Sequence, residues 1–551
     1  MSSETTGKSL EQRIGQVFMA GFSGTEPSDG ILELIERHHL GGVILFSRNI
    51  ASAAQALALT QQLQTAARAA GEPAPLLIAT DQENGLVRRL GPDSTTFPGN
   101  MALGAIGSEQ ITFDVARATG EELRALGINM NLAPVVDVNN NPDNPVIGIR
   151  SFGEDPALVA RLGTAAVRGY RAAGVISTLK HFPGHGDTAV DSHRALPSIS
   201  ATRVRLDAVE LVPFRAGIAA GADIVMIGHI YLPALMGDTP TPTSLSPAVI
   251  GGLLREGLGF PGVVVTDCLE MDAVAETVGV ARGAVLALQA GADLVMVSHR
   301  LDRQLAAIEA VRTAVESGEL SAERIAEAAA RVALLKQRTL AWSGLPTEDG
   351  LSVVGSEAHR RLRDAAYTQT TTVVRDTPGK LPLRLAAGQR LLIVASPTAN
   401  ITRASDVAFA GEALLEAVRQ RHANVDAVTI AAPGAAGAAG AAGAVGAAGD
   451  IDEEVERALA AVRAADAVIL VTFNAHLDRA QQAIMHRLAA AGRPTLGIAV
   501  CDPYDAAALP EVGTYLATYD YSPPALRAVA AVLFGQTPAA GHLPVTLPAA
   551  G

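Results

Sequence analysis

The sequence predicts an α/β protein, a (β/α)8 TIM-type barrel followed by a smaller α/β sandwich domain. Three observations carry that expectation. Short β-branched runs recur through the first part of the chain, each followed by an amphipathic Ala/Leu/Arg segment, and strand–helix alternation of this kind builds parallel sheet. Eight such runs are present, the number that closes a barrel. After Arg338 the pattern breaks, then resumes near Leu391 as a second, shorter set. A doubly wound open sheet is the alternative, but it ordinarily shows fewer units and a Gly-rich phosphate loop, and no such loop is found.

In chain order the barrel strands are expected at Val17–Gly21, Val43–Phe46, Leu76–Thr80, Asn131–Val136, Val175–Leu179, Ile224–Ile227, Val263–Thr266 and Leu294–Val297. Helical periodicity falls between them at Ser52–Ala70, Gln110–Leu126, Ala157–Ala173 and Asp272–Ala290. TLAWSGLPTEDGLSVVGS has the composition of a linker, and one helix is expected after it over Glu357–Val374. The later strands are expected at LLIVAS from Leu391, Val425–Ile430, Ala467–Thr472, Thr495–Val500 and Tyr515–Tyr519. Ala432–Asp450 is an Ala/Gly tract without core-forming side chains, which reads as a flexible insertion. The expected division is therefore a catalytic barrel over 1–340, a linker and connecting helix over 341–388, and a sandwich domain over 389–551.

A chain of 551 residues exceeds one core, which agrees with more than one domain. Lys plus Arg number 43 against 56 Asp plus Glu, a net charge of −13. That balance argues against a nucleic-acid partner, which needs a basic surface. Cys268 and Cys501 lie far apart and form no CxxC pattern, so neither a disulfide framework nor a zinc finger is expected. The first residues carry no apolar run of signal-peptide length, and no clean membrane-spanning stretch is seen outside Ala/Gly-rich sequence. A cytoplasmic location and no membrane partner are the expectation.

In a barrel, reactive residues sit just past the C-terminal ends of the strands. Asp81 follows strand three, Asp137 strand four, Lys180 and His181 strand five, His229 strand six, Asp267 strand seven, and Ser298 and His299 strand eight. Strands do turn polar as they reach solvent, but a set spanning six of eight strands points to a site. Its densest segment is Lys180–Pro197, KHFPGHGDTAVDSHRALP, too polar for core and placed where a long loop would cover the barrel mouth. Two chemistries fit it. His181, His185, Asp187 and His193 are potential metal ligands, although no HExxH or HxH pair supports a metal-dependent hydrolase. Alternatively, Asp191 orients His193 two residues on, as the carboxylate of an acid/base pair. Spacing alone leaves open whether His193 does this or caps a turn. Asp267 closes an apolar run and is read either as a carboxylate facing the barrel mouth or as a helix N-cap. Glu270 and Asp272 are placed in the first helical turn, serving its dipole.

Read in order, GGVILFSRNI, DQENGLVRRL, NPVIGIRSFGEDP, KHFPGHGDTAVDSH and VVVTDCLEMDAV resemble glycoside hydrolase family 3. More narrowly they resemble its bacterial β-N-acetylglucosaminidase branch in the two-domain form, with AVCDPYDAAALPEVGTYLATYDYS and GHLPVTLP resembling the second domain. The resemblance implies an exo-acting, retaining β-N-acetylhexosaminidase with Asp267 as nucleophile and His193, with Asp191, as acid/base. It implies that Asp81, Arg89, Arg150, Lys180 and His181 bind the sugar. The partner is then a small GlcNAc-containing glycoside, with no metal or other cofactor, and peptidoglycan recycling is a fitting setting. Phosphate is a further candidate partner: a histidine does not repel an anion as a second carboxylate would, so a phosphorylase with the same site is an alternative. Two departures stand out. The usual DQEGGRV reads DQENGLV, which puts Asn84 for Gly and Leu86 for Arg, and Cys268 stands where many single-domain members carry Asp.

Overall fold

The computed structural model describes residues 9–189, 191–192, 195–396, 411–430 and 451–549. The expected insertion Ala432–Asp450 lies outside the described residues, and so does His193. Eight strands form the first sheet: β1 (Phe18–Gly21), β2 (Gly42–Leu45), β3 (Leu77–Thr80), β4 (Met130–Asn131), β5 (Ile176–Phe182), β6 (Ile224–Ile227), β7 (Val263–Thr266) and β8 (Val295–Val297). Neighbours in sequence are neighbours in the sheet, all parallel, and β1 also pairs with β8. A bridge between Val265 and Leu294 joins β7 to β8 and closes the ring. The helices between strands start at side-chain caps such as Ser52, Ser108 and Asp155, each accepting a backbone N–H of the first turn.

Strand alternation decides what faces the barrel axis. Met19, Ile44, Leu77, Ala79, Ile176, Ile224, Met226, Val263, Val265, Leu294 and Met296 pack together inside the ring. Their neighbours Phe18, Val43, Ile78, Val225, Val264 and Val295 pack outward with the helices. Because the period is two, continuing the inward series past the strand ends gives Phe46, Asp81, Asp267 and Ser298. The same parity along β5 gives Lys180.

The second sheet runs β11-β10-β12-β13-β14-β9, with β9 (Thr372–Asp376), β10 (Leu391–Ala395), β11 (Val425–Thr429), β12 (Ala467–Thr472), β13 (Thr495–Ala499) and β14 (Thr514–Ala517). All its pairings are parallel except β14 with β9. Its core also takes in Met101, Ala102, Ala105 and Ile149 from the barrel portion of the chain. Tyr504 and His476 reach the same portion, bonding Asn139 Nδ2 at 3.1 Å and the Pro142 carbonyl at 3.1 Å. No helix among the described residues is long and apolar enough to cross a membrane.

Four local expectations change. Strand four forms a regular ladder only over Met130–Asn131 rather than Asn131–Val136; Pro134 has no N–H to give, and pairing with β5 resumes as a single bridge between Val135 and Lys180. Lys180 and His181 lie inside β5, not beyond it. The helix expected over Asp272–Ala290 is two helices, Asp272–Ala275 and Val280–Ala290, separated by Gly279 at φ 80°. The helix expected over Glu357–Val374 ends at Tyr367, and Thr372–Asp376 becomes the antiparallel edge strand β9. The Thr370–Thr372 run and Val373 are β-formers, and pairing with β14 decided between the two states.

Candidate active site

A cavity of about 740 Å³ lies at the C-terminal ends of the barrel strands. Asp81, Arg89, Arg150, Lys180, His181 and Asp267 all line it, together with Phe46, Arg48, Glu83, Cys268, Glu270, Asp272, Ser298 and His299. Six of the eight residues to which the resemblance gives a catalytic or sugar-binding role therefore meet in one space. Asp191 is buried and is not among the lining residues; its carbonyl accepts the Ala195 N–H at 3.2 Å. His193 lies outside the described residues.

The floor of the cavity is a charged lattice centred on Glu83. Arg150 meets it through two parallel bonds, Nε to Oε2 at 2.9 Å and a terminal nitrogen to Oε1 at 2.8 Å. Lys180 Nζ sits 2.6 Å from both Glu83 Oε1 and Asp81 Oδ1. Burial alone would raise the Glu83 carboxyl, but Arg150 and Lys180 outweigh it and hold the group well below the ordinary carboxylate range. Burial would likewise lower the Lys180 ammonium, and Asp81 and then Glu83 raise it instead. The lysine thus stays charged, and Asp81 keeps 18% of its side chain exposed on the cavity side.

Asp137 is wholly buried and organises the next shell of contacts. Its carboxylate accepts His181 Nδ1–H at 2.7 Å and the His185 N–H at 2.7 Å. Burial raises its pKa, and His181 with His185 reverses the shift to a net lowering. His181 is thereby fixed with Nε2 3.4 Å from the Arg150 guanidinium. His185 lines no part of the cavity. Its ring bonds Thr188 Oγ1 at 2.8 Å and Ser192 Oγ at 3.0 Å, tethering the residue between Asp191 and His193. Burial, and then the nearby His181, lower the His185 pKa to about 4.

Asp267 is not a helix cap: the next helix begins at Asp272, with Met271 in the cap position. Its Oδ1 accepts the Cys268 N–H at 2.7 Å, and its own N–H donates to the Ile227 carbonyl at 3.0 Å. From the end of β6, the buried His229 donates Nε2–H to the Cys268 carbonyl at 3.0 Å and accepts from Ser244 Oγ at 2.7 Å. The backbone of Cys268 is therefore held at both its N–H and its carbonyl. Glu270 does not serve a helix turn as expected; it lines the cavity and accepts the His299 N–H at 2.6 Å. Burial raises its carboxyl and pushes the Cys268 thiol up to about 12.

The glycosyl hydrolase family 3 N-terminal domain matches residues 9–335 and the family 3 C-terminal domain matches 345–551. The chain belongs to glycosyl hydrolase family 3. Among relatives of this family 3 chain, Beta-hexosaminidase A of Pseudoalteromonas piscicida is 40% identical over 64% of the chain, the match spanning only 62% of that relative. The Beta-N-acetylglucosaminidase/beta-glucosidase of Cellulomonas fimi is 30% identical over 97% of the chain and 93% of its own length. The solved structure of a family 3 β-N-acetylglucosaminidase from Paenibacillus sp. str. FPU-7 superposes with a TM-score of 0.89, at 41% identity, covering 98% of this chain and 99% of that one.

One departure noted in the sequence, Asn84, has a structural account. Asn84 takes the position of the usual Gly at φ 70°, a conformation Asn tolerates better than most side chains. Its amide donates to Thr119 Oγ1 and accepts from Gln82 Nε2, both at 3.1 Å. Glu83, Asp137 and Glu270 are the site residues for which the sequence reading assigned no such role. Glu83 was visible as the third letter of DQE and Asp137 as a strand-end acid, but their partners lie 67 and 44 residues away.

Proposed function

We propose that this family 3 protein is a retaining, exo-acting β-N-acetylhexosaminidase that removes terminal β-linked N-acetylglucosamine. The observation that carries this is Asp267, held at the end of β7 in a cavity that also presents Asp81, Arg150, Lys180 and His181. The names of the relatives from Pseudoalteromonas and Paenibacillus support the choice of sugar.

In this reading Asp267 attacks the anomeric carbon and the bond to the leaving oxygen breaks. His193 gives that oxygen its proton, and Asp191 orients the imidazole. The glycosyl ester is then opened by water, whose proton returns to His193. Lys180 and Asp81 hold sugar hydroxyls, with Arg89, Arg150 and His181 completing the grip. Arg150 and Lys180 are already aligned by Glu83, so binding needs little reorganisation.

The test is release of 4-nitrophenol from 4-nitrophenyl N-acetyl-β-D-glucosaminide, with and without inorganic phosphate. Wild type should turn over, and Asp267→Ala should lose about 10³-fold or more, a barrier increase of about 4 kcal/mol. Near-normal activity in Asp267→Ala would refute the assignment. Accumulation of sugar 1-phosphate would make phosphate, not water, the acceptor in the second step.

A further inference from the structure

We propose that Cys268, Glu270 and His299 form a binding site for a thiophilic divalent cation, such as Zn2+, at the edge of the cavity, and that a cation held there closes the cavity to sugar. The three side chains come from the adjoining ends of β7 and β8, and one ligand atom from each lies within 4.8 Å of the others. Zinc bonds of roughly 2.0–2.3 Å in a tetrahedron place ligand atoms roughly 3.5 Å apart, so closing the site needs a side-chain adjustment of about an ångström. His299 is exposed and can supply it, while Phe46 stacks on its ring at 5.3 Å and keeps the imidazole beside the cavity.

The backbone around the donors is already fixed. Asp267 and His229 hold the Cys268 peptide, and Glu270 accepts the His299 N–H. A thiolate, an imidazole and a carboxylate suit zinc or cadmium rather than magnesium or calcium, which select oxygen ligands. Binding releases the thiol proton to solvent and forms the sulfur–metal bond, leaving one coordination position for water. Asp267 is the residue next to Cys268 and lines the same cavity. A cation in this position would neutralise the carboxylate assigned as nucleophile and fill the space beside it. The inhibitory consequence rests on the proposed hydrolase activity; the binding site does not.

The experiment titrates Cd2+ into chelator-treated full-length protein and follows the sulfur-to-cadmium charge-transfer absorption. A band saturating at one cation per chain is expected in wild type and none in Cys268→Ser. The other cysteine, Cys501, is wholly buried in the core of the second sheet. Calorimetry with Zn2+ should show His299→Ala, altered at the exposed rim, binding at least ~10-fold more weakly; this variant carries the comparison if Cys268→Ser fails to fold. Absence of the band in wild type, its persistence in Cys268→Ser, or unchanged Zn2+ affinity in His299→Ala would each overturn the site. Because these readouts need no turnover, failure of the glycosidase reading leaves them intact. In wild type, Zn2+ should compete with the 4-nitrophenyl substrate; full turnover with the site saturated would overturn the closure.

Discussion

Asp293 at the N-terminal end of the barrel strands and Glu83 at the C-terminal end are both buried carboxylates tied to several cations. Asp293 accepts from Arg255, from Arg324 at 2.7 Å, from Arg331 at 2.9 Å and from the Val264 N–H at 3.0 Å. None of these residues lines the cavity. Glu83 binds Arg150 and Lys180, which do line it, and Lys180 is shared with the partly exposed Asp81. One end ties its acid to arginines of the surrounding helices and holds the ring together. The other leaves the far sides of its paired charges facing a space. That division matches the general separation of stability and chemistry between the two faces of such barrels.

Substitutions can break or sharpen this comparison. The largest effect is expected from Asp267→Ala, with kcat/KM falling about 10³-fold or more while the urea midpoint stays close to wild type. Asp293→Ala should do the reverse. Removing one side of a buried charge cluster costs about 3–5 kcal/mol, while kcat at a temperature where the variant is folded should stay within about twofold. A large loss of kcat in folded Asp293→Ala, with unchanged urea stability, would erase the distinction between the two ends.

A third effect, on the order of 3 kcal/mol, sharpens the picture of the mouth through pH. The folded pKa of His185 is depressed to about 4 from 6.5. As pH falls, the unfolded chain takes up this proton first. The contribution is therefore full above pH 6.5 and is lost as pH falls toward 4. Urea midpoints measured between pH 7 and 4.5 should drop more steeply in wild type than in His185→Gln, and equal slopes would remove His185 as the cause.

The smallest effect is expected where the second domain meets the barrel. Asp502 sits against Gly148, is buried, and has its pKa raised to about 6, first by desolvation and then by Asp505 against the opposing pull of His476. A carboxyl raised in the folded state contributes stability at low pH and loses it as pH rises through about 6. Asp502→Asn should therefore raise stability at pH 7 by about 1–3 kcal/mol, with the gain gone by pH 4. A variant no more stable than wild type at pH 7 would mean the carboxylate is better compensated than its surroundings indicate.

Much of the barrel was legible because its signal is local. Unbroken apolar and β-branched runs mark β7 as Val263–Thr266 and β6 as Ile224–Ile227, matching the expected bounds. Asp81 and Asp267 were marked by their places just past such runs, but which face of each strand points inward was set by packing in the closed ring. The breaks in the reading came where local preference was nearly balanced. Residues 372–376 became β9 because β14 offered an edge, and Gly279 divided a helix whose apolar pattern was continuous.

By itself, then, the sequence determined the alternation of strands and helices, the residue types gathered at the strand ends, and the motifs that mark family 3. The tertiary structure decided which charges would meet. Glu83 with Arg150 and Lys180, and Asp137 with His181 and His185, are contacts across 44 to 97 residues that exist only once the ring has closed. The setting of the second domain against Asn139, Pro142 and Ile149 is of the same kind. The physical reason is that strand period and turn chemistry act between near neighbours in sequence. Burial, ion pairing and the resulting pKa shifts depend on distances through space, which are set only when the barrel closes and the second domain packs against it.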